Sequence, residues 1–181
     1  MDPIKQLRQE HRLIEKAANV VANLRDQLKS GRELRPDKFW RILDFWSTYA
    51  DVLHHGKEEQ LLFPLIEEKD NSTTIATMID QLVTEHTQML GYIADMRQAA
   101  RPLFAGNVAS RKRVVDCLEA YIGIIVPHVK LEDQNLFSKI DELLSSQEMA
   151  YLTKEFESMD ARVVPKVHQF FEELINNLAK E

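Results

Sequence analysis

Histidine and glutamate recur in the same order in the two halves of the chain. A single histidine is followed by a His-x3-Glu pair, and the same arrangement returns at almost the same distance further on. In chain order the residues are His11, His54, Glu58, His86, His128 and Glu132. Imidazole nitrogens and carboxylate oxygens are ligands that proteins offer to iron and related transition metals. One set in each half predicts a two-metal site with these six side chains as ligands.

The flanking residues strengthen this interpretation. Leu62-Phe63 follows the first His-x3-Glu pair at the spacing at which Leu136-Phe137 follows the second. His-x3-Glu alone is weak, because residues four apart face each other on any helix, and five of the six histidines here have such a glutamate. A glutamate also precedes each single histidine, and we expect both of these, Glu10 and Glu85, to be exposed charges. The repeated order, rather than the spacing, carries the prediction.

The sequence leaves undecided whether residues next to these six also bind the metals. We assign His54 rather than His55, because only His54 keeps the Leu-Phe register and the next residue of an α-helix points about 100° away. His55 is interpreted as partly exposed or as a hydrogen-bonding neighbour of the metal shell, and Glu59 likewise. Glu15 lies one turn after the first histidine. Any of these three, or a tyrosine, could complete the shell.

The remaining histidine and two tyrosines have simpler interpretations. His168 has Glu172 four residues on but no counterpart in the other half, so we predict a surface pair. Tyr49 and Tyr121 lie near the predicted ligands along their helices and could approach a metal. A core tyrosine bonded elsewhere through its hydroxyl is the commoner arrangement.

The elements that must position these residues are predicted to be helices. Five glycines and six prolines punctuate segments in which apolar residues recur every three or four positions, and no alternating pattern suggests a strand. The expected helices run from Pro3 to Gly31, from Pro36 to about Pro64, from about Ser72 towards Pro102, and from Gly106-Asn107 to about Leu144. A capping box at Ser145–Glu148 opens another helix, and Pro165 starts or kinks the last. Pro127 should loosen the fourth helix.

We therefore predict an all-α protein with an up-down-up-down four-helix bundle over residues 1–144 and a C-terminal helical extension over 145–181. In such a bundle the four histidines lie on apolar stripes at one level. The bundle is then expected to have a pseudo-twofold axis that relates its two hairpins, with Glu58 and Glu132 near that axis.

Composition narrows the classes of partner and location. Of the 181 residues, 29% are charged and the net charge is −6, with acidic and basic residues interspersed. This distribution does not favour nucleic acid as a partner. No apolar run approaches the roughly 20 residues of a membrane helix, and the N-terminus has no apolar leader segment. With Cys117 as the one cysteine, we expect a cytoplasmic protein without a disulfide, and the oligomeric state stays open.

On these residues the chain resembles the hemerythrin-like, or HHE cation-binding, family over roughly residues 3–144. The resemblance lies in Glu10-His11, Glu85-His86, and the two His-x3-Glu pairs with their Leu-Phe sequences. It implies a non-haem di-iron centre: two iron ions bound by the four histidines and bridged by Glu58 and Glu132. It also implies a small diatomic molecule or peroxide as the ligand. The chain departs from oxygen-carrying hemerythrins at Leu90, where they have a fifth histidine.

Three classes of function follow from these patterns. The first is a di-iron protein acting on oxygen, nitric oxide or peroxide, in sensing or stress response rather than bulk oxygen carriage. The second is an iron-binding module without turnover that signals through a partner surface, with the segment after Ser145 as reporter. The third is a structural bundle with buried histidines, disfavoured because four unpartnered imidazoles at one level are costly. No Glu-x-x-His or His-Glu-x-x-His motif supports a ferritin-like oxidase or a zinc hydrolase, and enzymatic activity stays open.

Overall fold

The computed structural model describes residues 1–180, apart from the side chain at position 141, and every regular element in them is a helix. The α-helices are α1 (Pro3–Lys29), α2 (Pro36–Phe45), α3 (Phe63–Lys69), α4 (Thr73–Phe104), α5 (Arg111–Leu131), α6 (Ile140–Leu143), α7 (Ser146–Val163) and α8 (Val167–Lys180). Three π-helical segments and two short 3₁₀ turns complete the chain: Trp46–His55, Glu58–Leu62 and Glu132–Leu136, then Val108–Ser110 and Phe137–Lys139. The predicted all-α class is confirmed.

The helix ends follow the local sequence. Asp2 caps α1 by accepting the Lys5 backbone N–H at 2.8 Å, and Ser145 and Glu148 form the predicted capping box at the start of α7. Gly31 has a positive φ of 80°, which suits a glycine directly after a helix. The loosening of the fourth helix that was expected at Pro127 is not observed. α-Helical geometry continues through Pro127 to Leu131 and changes at Glu132.

A layer of buried histidines and glutamates divides the apolar core in two. The first apolar cluster includes Ile14, Leu53, Met89 and Ile125. The second apolar cluster includes Leu7, Leu62, Leu82 and Leu136. Along α1 and α4 the chain passes from the second cluster to the first, and along the helices that carry the His-x3-Glu pairs it passes from the first to the second. All the repeated histidines therefore lie at the level between the clusters.

The two C-terminal helices belong to the same core. In α7, Leu152 and Phe156 join the second apolar cluster. In α8, Phe171 and Ile175 are among the residues that join the first, and α8 packs along α1. The boundary at residue 144 stays a prediction, since packing continues across it. Within the described residues, no helix is long and apolar enough to cross a membrane.

Candidate metal centre

The six side chains of the repeated motif meet in the layer between the two apolar clusters. Each is buried, with at most 3% of its surface exposed, and His55 is buried with them at 3%. The seven side chains divide into two neighbouring groups, which we call site A and site B. Whether they bind metal stays a prediction, but their convergence is a property of the fold.

Site A consists of His11, His54, Glu58 and Glu132. One nitrogen or oxygen atom from each lies within 4.8 Å of those of the others. The His11 Nε2 atom is 3.1 Å from a Glu132 oxygen and 4.0 Å from a Glu58 oxygen. His54 Nε2 lies 3.4 Å from that same Glu58 oxygen, Oε1. Two imidazoles and two carboxylates thus face a common point.

Site B consists of His55, His86 and His128, whose ring nitrogens also lie within 4.8 Å of one another. The second Glu58 oxygen, Oε2, is 3.7 Å from His86 Nε2, and Glu132 Oε2 is 3.3 Å from His128 Nε2. Glu58 therefore turns one oxygen to each site, and the Glu132 oxygen that faces His11 also faces His128. Both carboxylates lie where bridging ligands are expected.

For His55 the expected partial exposure is wrong, and its place in the ligand shell stays a prediction. It is neither exposed nor remote: its ring stacks on His86 with a centroid distance of 3.7 Å. The reason is the π-helical segment Trp46–His55, because a π-helix spreads an extra residue over each turn, so that consecutive side chains diverge less than on an α-helix. Two adjacent histidines can thereby face two adjacent sites. Leu90, by contrast, is 47% exposed.

Each of the four repeated histidines has a carboxylate on its Nδ1 atom. Glu10 accepts a hydrogen bond from His54 at 2.9 Å, and Glu85 accepts one from His128 at 2.8 Å. In each half, the glutamate before the single histidine thus holds the histidine of the His-x3-Glu pair. Glu10 is 1% exposed, so the expectation of an exposed charge was wrong for it.

The other two carboxylates cross between the halves. Glu59, directly after Glu58, accepts from His86 Nδ1 at 2.6 Å, and Asp133, directly after Glu132, accepts from His11 Nδ1 at 3.0 Å. We call Glu10, Glu59, Glu85 and Asp133 the supporting carboxylates. Since a carboxylate only accepts, each bond places a hydrogen on Nδ1 and turns Nε2, the atom that would bind a metal, towards the centre.

The repeated Leu-Phe sequences also have a structural explanation. Phe137 stacks on His11 with nearly parallel rings 5.4 Å apart, and Phe63 stacks on His86 at 6.3 Å. Each phenylalanine therefore covers the single histidine of the other half. The downstream register that distinguished His54 from His55 in the sequence is the register of these aromatic covers.

The residues fit a cation at the fold's centre. Both oxygens of Glu58 and of Glu132, the Nε2 of His11 and both ring nitrogens of His55 are buried without a hydrogen-bond partner among the described residues. His86 and His128 turn their Nε2 atoms towards each other at 3.0 Å, although their Nδ1 atoms already donate. Buried polar atoms left in this state are costly, and metal ions would satisfy the glutamate oxygens and one nitrogen of each imidazole.

The electrostatics of the metal-free centre follow from burial. Burial and the charge of Glu132 raise the pKa of Glu58 well above its usual range. For Glu132, burial acts to raise the pKa, but His128 and His11 outweigh it and hold the pKa at about 2. Burial lowers the pKa of His54 to about 4, so this imidazole is neutral at pH 7. The pKa of His11 is about 9, because Asp133 and Glu132 together outweigh the opposing effect of burial.

The remaining predicted neighbours lie outside the two sites. Glu15 is exposed on the surface of α1. His168 is bonded to Asp160 at 2.8 Å and to the Tyr49 hydroxyl at 3.0 Å, so the predicted pairing with Glu172 was wrong. Tyr121 is buried, and its hydroxyl has no hydrogen-bond partner among the described residues.

Comparison with known families agrees with this arrangement. A family model described as the hemerythrin HHE cation binding domain matches residues 2–140. The chain belongs to this family. No curated protein and no solved structure matches the chain at a significant level. The predicted resemblance is confirmed, and cation binding is the property that the hemerythrin domain brings to this chain.

Some of the hemerythrin site was readable from the sequence and some was not. All four supporting carboxylates occupy matching positions in the two halves: a glutamate before each single histidine and an acid after each bridging glutamate. That repetition was a usable signal. His55 has no such signal, since the matching residue in the second half is Val129. The match also ends before α7 and α8, which nevertheless pack on the hemerythrin domain.

Proposed function

We propose that this chain is a non-haem di-iron protein. His11 and His54 would hold one iron at site A, and His86 and His128, with His55 added, would hold the other at site B. Glu58 and Glu132 would bridge the two. The observation that carries the proposal is the set of buried, unpartnered oxygens and nitrogens that face one another between the two apolar clusters. Imidazole with carboxylate is a donor set that suits both Fe(II) and Fe(III).

The inequality of the two sites supports a small-molecule ligand. Site A has two imidazoles and site B has three, while both share the same two carboxylates. We propose that oxygen, nitric oxide or peroxide binds on the site A side, where the protein supplies one ligand fewer. Bound iron there would supply Lewis-acid and one-electron redox chemistry.

The surrounding residues restrict what can reach the centre. Phe137 covers His11 from the second half of the motif, and the apolar clusters close both faces of the layer. Only small, weakly hydrated molecules suit such a site. The supporting carboxylates hold each imidazole in one orientation, which keeps the donor set preformed.

The fifth imidazole changes one argument about the role. With His55 in place, the chain presents five histidines as oxygen-carrying hemerythrins do, but takes the fifth from its second long helix rather than from α4. The count of histidines therefore does not separate the chain from carriers. We retain sensing or stress response as the proposed role.

The second candidate is an iron-binding module without turnover that signals through a partner surface. One contact favours it: Lys57, next to the ligand Glu58, is bonded to Asp160 of α7. Metal binding at site A would then affect the packing of helices outside the hemerythrin domain.

The order in which the long helices pass the two apolar clusters supports the up-down-up-down topology, since successive long helices cross the polar layer in opposite directions.

The deciding experiment is anaerobic loading with Fe(II), followed by iron analysis and exposure to air. Two irons per chain and a ferric charge-transfer spectrum after exposure support the di-iron proposal. A stable, reversible spectral change under oxygen indicates carriage, whereas oxidation with oxygen consumption indicates turnover. Iron binding without either change favours the module without turnover. Absence of iron, with helicity and thermal stability unchanged, would refute the site.

A further inference from the structure

Lys57 is a fully buried cation beside the metal centre. It lies between His55 and Glu58 in the sequence, and none of its surface is exposed. Its ammonium group is 2.5 Å from a Glu10 oxygen, 2.6 Å from an Asp160 oxygen and 5.5 Å from the centre of the Phe156 ring. Asp160 and Phe156 both belong to α7. A lysine of the second long helix is thus held by the C-terminal helices.

Glu10 connects this lysine to a ligand of site A. One Glu10 oxygen accepts from His54 Nδ1 at 2.9 Å, and the other accepts from Lys57 and from Gln6 at 3.1 Å. A chain of hydrogen bonds and ion pairs therefore runs from His54 through Glu10 and Lys57 to Asp160. Gln6 reinforces it by donating to Asp160 at 2.9 Å as well.

The other supporting carboxylates have no such connection. Glu59, Glu85 and Asp133 are 39%, 21% and 31% exposed, while Glu10 is 1% exposed. Asp133 is also paired with Arg8, which is itself 34% exposed. Water can therefore replace a lost contact at three of the four carboxylates. At Glu10 it cannot, so His54 depends on what Lys57 and α7 provide.

The Glu10–Asp160–His168 group has donors of metal-ligand type, within 4.8 Å of one another. It is not a third metal site, because the Lys57 ammonium already lies against both carboxylates. A divalent ion there would meet a buried positive charge with nowhere to move. The role of the group is therefore to hold Lys57 and, through it, Glu10.

The backbone also approaches closely here. A Cβ atom added to Gly56 would lie 3.2 Å from the terminal methyl of Met159. Because residue 56 has no side chain, α7 can pack directly against the turn that carries Lys57 and the candidate ligands His55 and Glu58. Displacement of α7 and displacement of this turn are consequently linked.

We propose that Asp160 and Lys57 are positioning residues for His54, so that docking of α7–α8 and metal binding at site A stabilise each other. This inference rests on the proposed function, because it takes site A to bind metal. Coupling of two equilibria is reciprocal, so each should strengthen the other by the same factor. Site B should be independent of the C-terminal helices.

The test uses Co(II), which reports its binding by visible absorption, on full-length protein. Asp160→Asn is introduced into a His128→Ala background, which leaves site A to be titrated, and into a His54→Ala background, which leaves site B. We expect binding at site A to weaken, by no more than the roughly 10- to 100-fold typical of losing a direct partner of a ligand histidine, and its spectrum to change. Site B should be unchanged. Glu157→Gln, on the exposed side of α7, is the matched control and should alter neither site.

The reciprocal measurement is amide hydrogen exchange in α7 and α8. Co(II) should increase protection there in the wild-type chain and in Glu157→Gln, but not in Asp160→Asn. Gly56→Ala offers a second variant that disturbs α7 packing without removing a charge, and Co(II) should increase the protection of α7 less in it than in the wild-type chain. Equal loss at both sites in Asp160→Asn, or unchanged affinity at site A, would overturn the inference.

These outcomes are separate from those that test the di-iron proposal. If the wild-type chain binds no metal at either site, the proposed function fails. If it binds two and Asp160→Asn also binds two with wild-type affinities, the proposed function stands and the coupling fails.

Discussion

Site A and site B are built from two copies of one motif, yet they differ in composition and in support. Site B has a third imidazole, from His55, and its supporting carboxylates are partly exposed. Site A has two imidazoles, and one of its supporting carboxylates, Glu10, is buried and tied to α7 through Lys57. The duplicated residues thus supply what the sites share, and unrepeated residues supply the difference.

The second copy makes this plain position by position. Where the first copy has His55 and Lys57, the second has Val129 and Leu131. Val129 joins the first apolar cluster, and Leu131 packs against the second. These two differences between the copies lie within one helical turn. They give site B an additional histidine and connect site A to the C-terminal helices through Lys57.

The largest expected effect comes from a residue that both sites share. Glu132→Gln removes a carboxylate oxygen that lies 3.1 Å from His11 and 3.3 Å from His128. We expect both metals to be lost. The metal-free protein should also lose thermal stability at pH 7, because His128 and His11 lower the pKa of Glu132 and so stabilise its ionised form in the fold. Metal analysis and thermal unfolding with and without Fe(II) measure this. Glu67→Gln, away from the centre, is the control, and loss of one metal alone would show that Glu132 serves a single site.

The next effect divides the two sites. His54→Ala should empty site A and retain one metal at site B, and His128→Ala should do the reverse. His55→Ala should weaken site B by more than the ~10- to 100-fold typical of a lost hydrogen-bond partner, and leave site A as it is. Titration with Co(II) gives both constants.

Val52→Ala, an exposed change in the same helical segment as His54 and His55, is the control for these histidine changes. His168→Ala is unsuitable as a control, because the His168 ring is bonded to Asp160. If His55→Ala leaves site B at wild-type affinity, the centre has four histidine ligands, and sites A and B do not differ in their number of imidazole ligands.

A smaller effect is expected from pH. Below its pKa of about 9 the metal-free His11 is protonated, and metal binding at Nε2 must displace that proton. Affinity at site A should therefore rise with pH between 6 and 9, by up to about tenfold per unit, and level off above 9. Titrations across this range in His128→Ala measure it. Asp133→Asn removes a group that raises this pKa, so the plateau should begin at lower pH.

The smallest effect sharpens the comparison with oxygen carriers. Leu90→His restores the histidine position that those proteins use, but residue 90 is 47% exposed here. We expect metal content and spectra to be unchanged and stability to shift within about 0.5 kcal/mol, as for most surface changes. In a His55→Ala background it should not rescue site B. Rescue would show that α4 can turn a side chain at residue 90 towards the centre.

Helix periodicity and capping residues predicted most of the elements, because these signals depend on neighbours along the chain. Asp2, Ser72 and the capping box at Ser145 lie where helices begin in the structure. The π-helical turns were not predicted, and the irregularity that was expected at Pro127 is absent, since α5 continues through it to Leu131. Such turns reflect how a helix accommodates buried polar groups, for which the local sequence carries no pattern. The misplacement of His55 follows from this, since the 100° argument holds only on an α-helix.

The supporting carboxylates show which features residue order indicates and which depend on the folded structure. Their repetition was present in the sequence, but Glu10 and Glu85 look like ordinary surface charges until the partner helix is in place. Glu10 is buried against His54 and Lys57, which lie more than forty residues further along the chain, and no residue next to Glu10 indicates this burial.

By itself the sequence determined the helical class, the family and the six repeated candidate ligands, because duplication and periodicity are properties of residue order. Only the tertiary structure decided that His55 joins site B, that Lys57 is buried between Glu10 and Asp160, and that α7 is connected to site A through these residues. These depend on distances between helices, and a backbone that departs from α-helical geometry redirects side chains in ways that spacing along the chain does not encode.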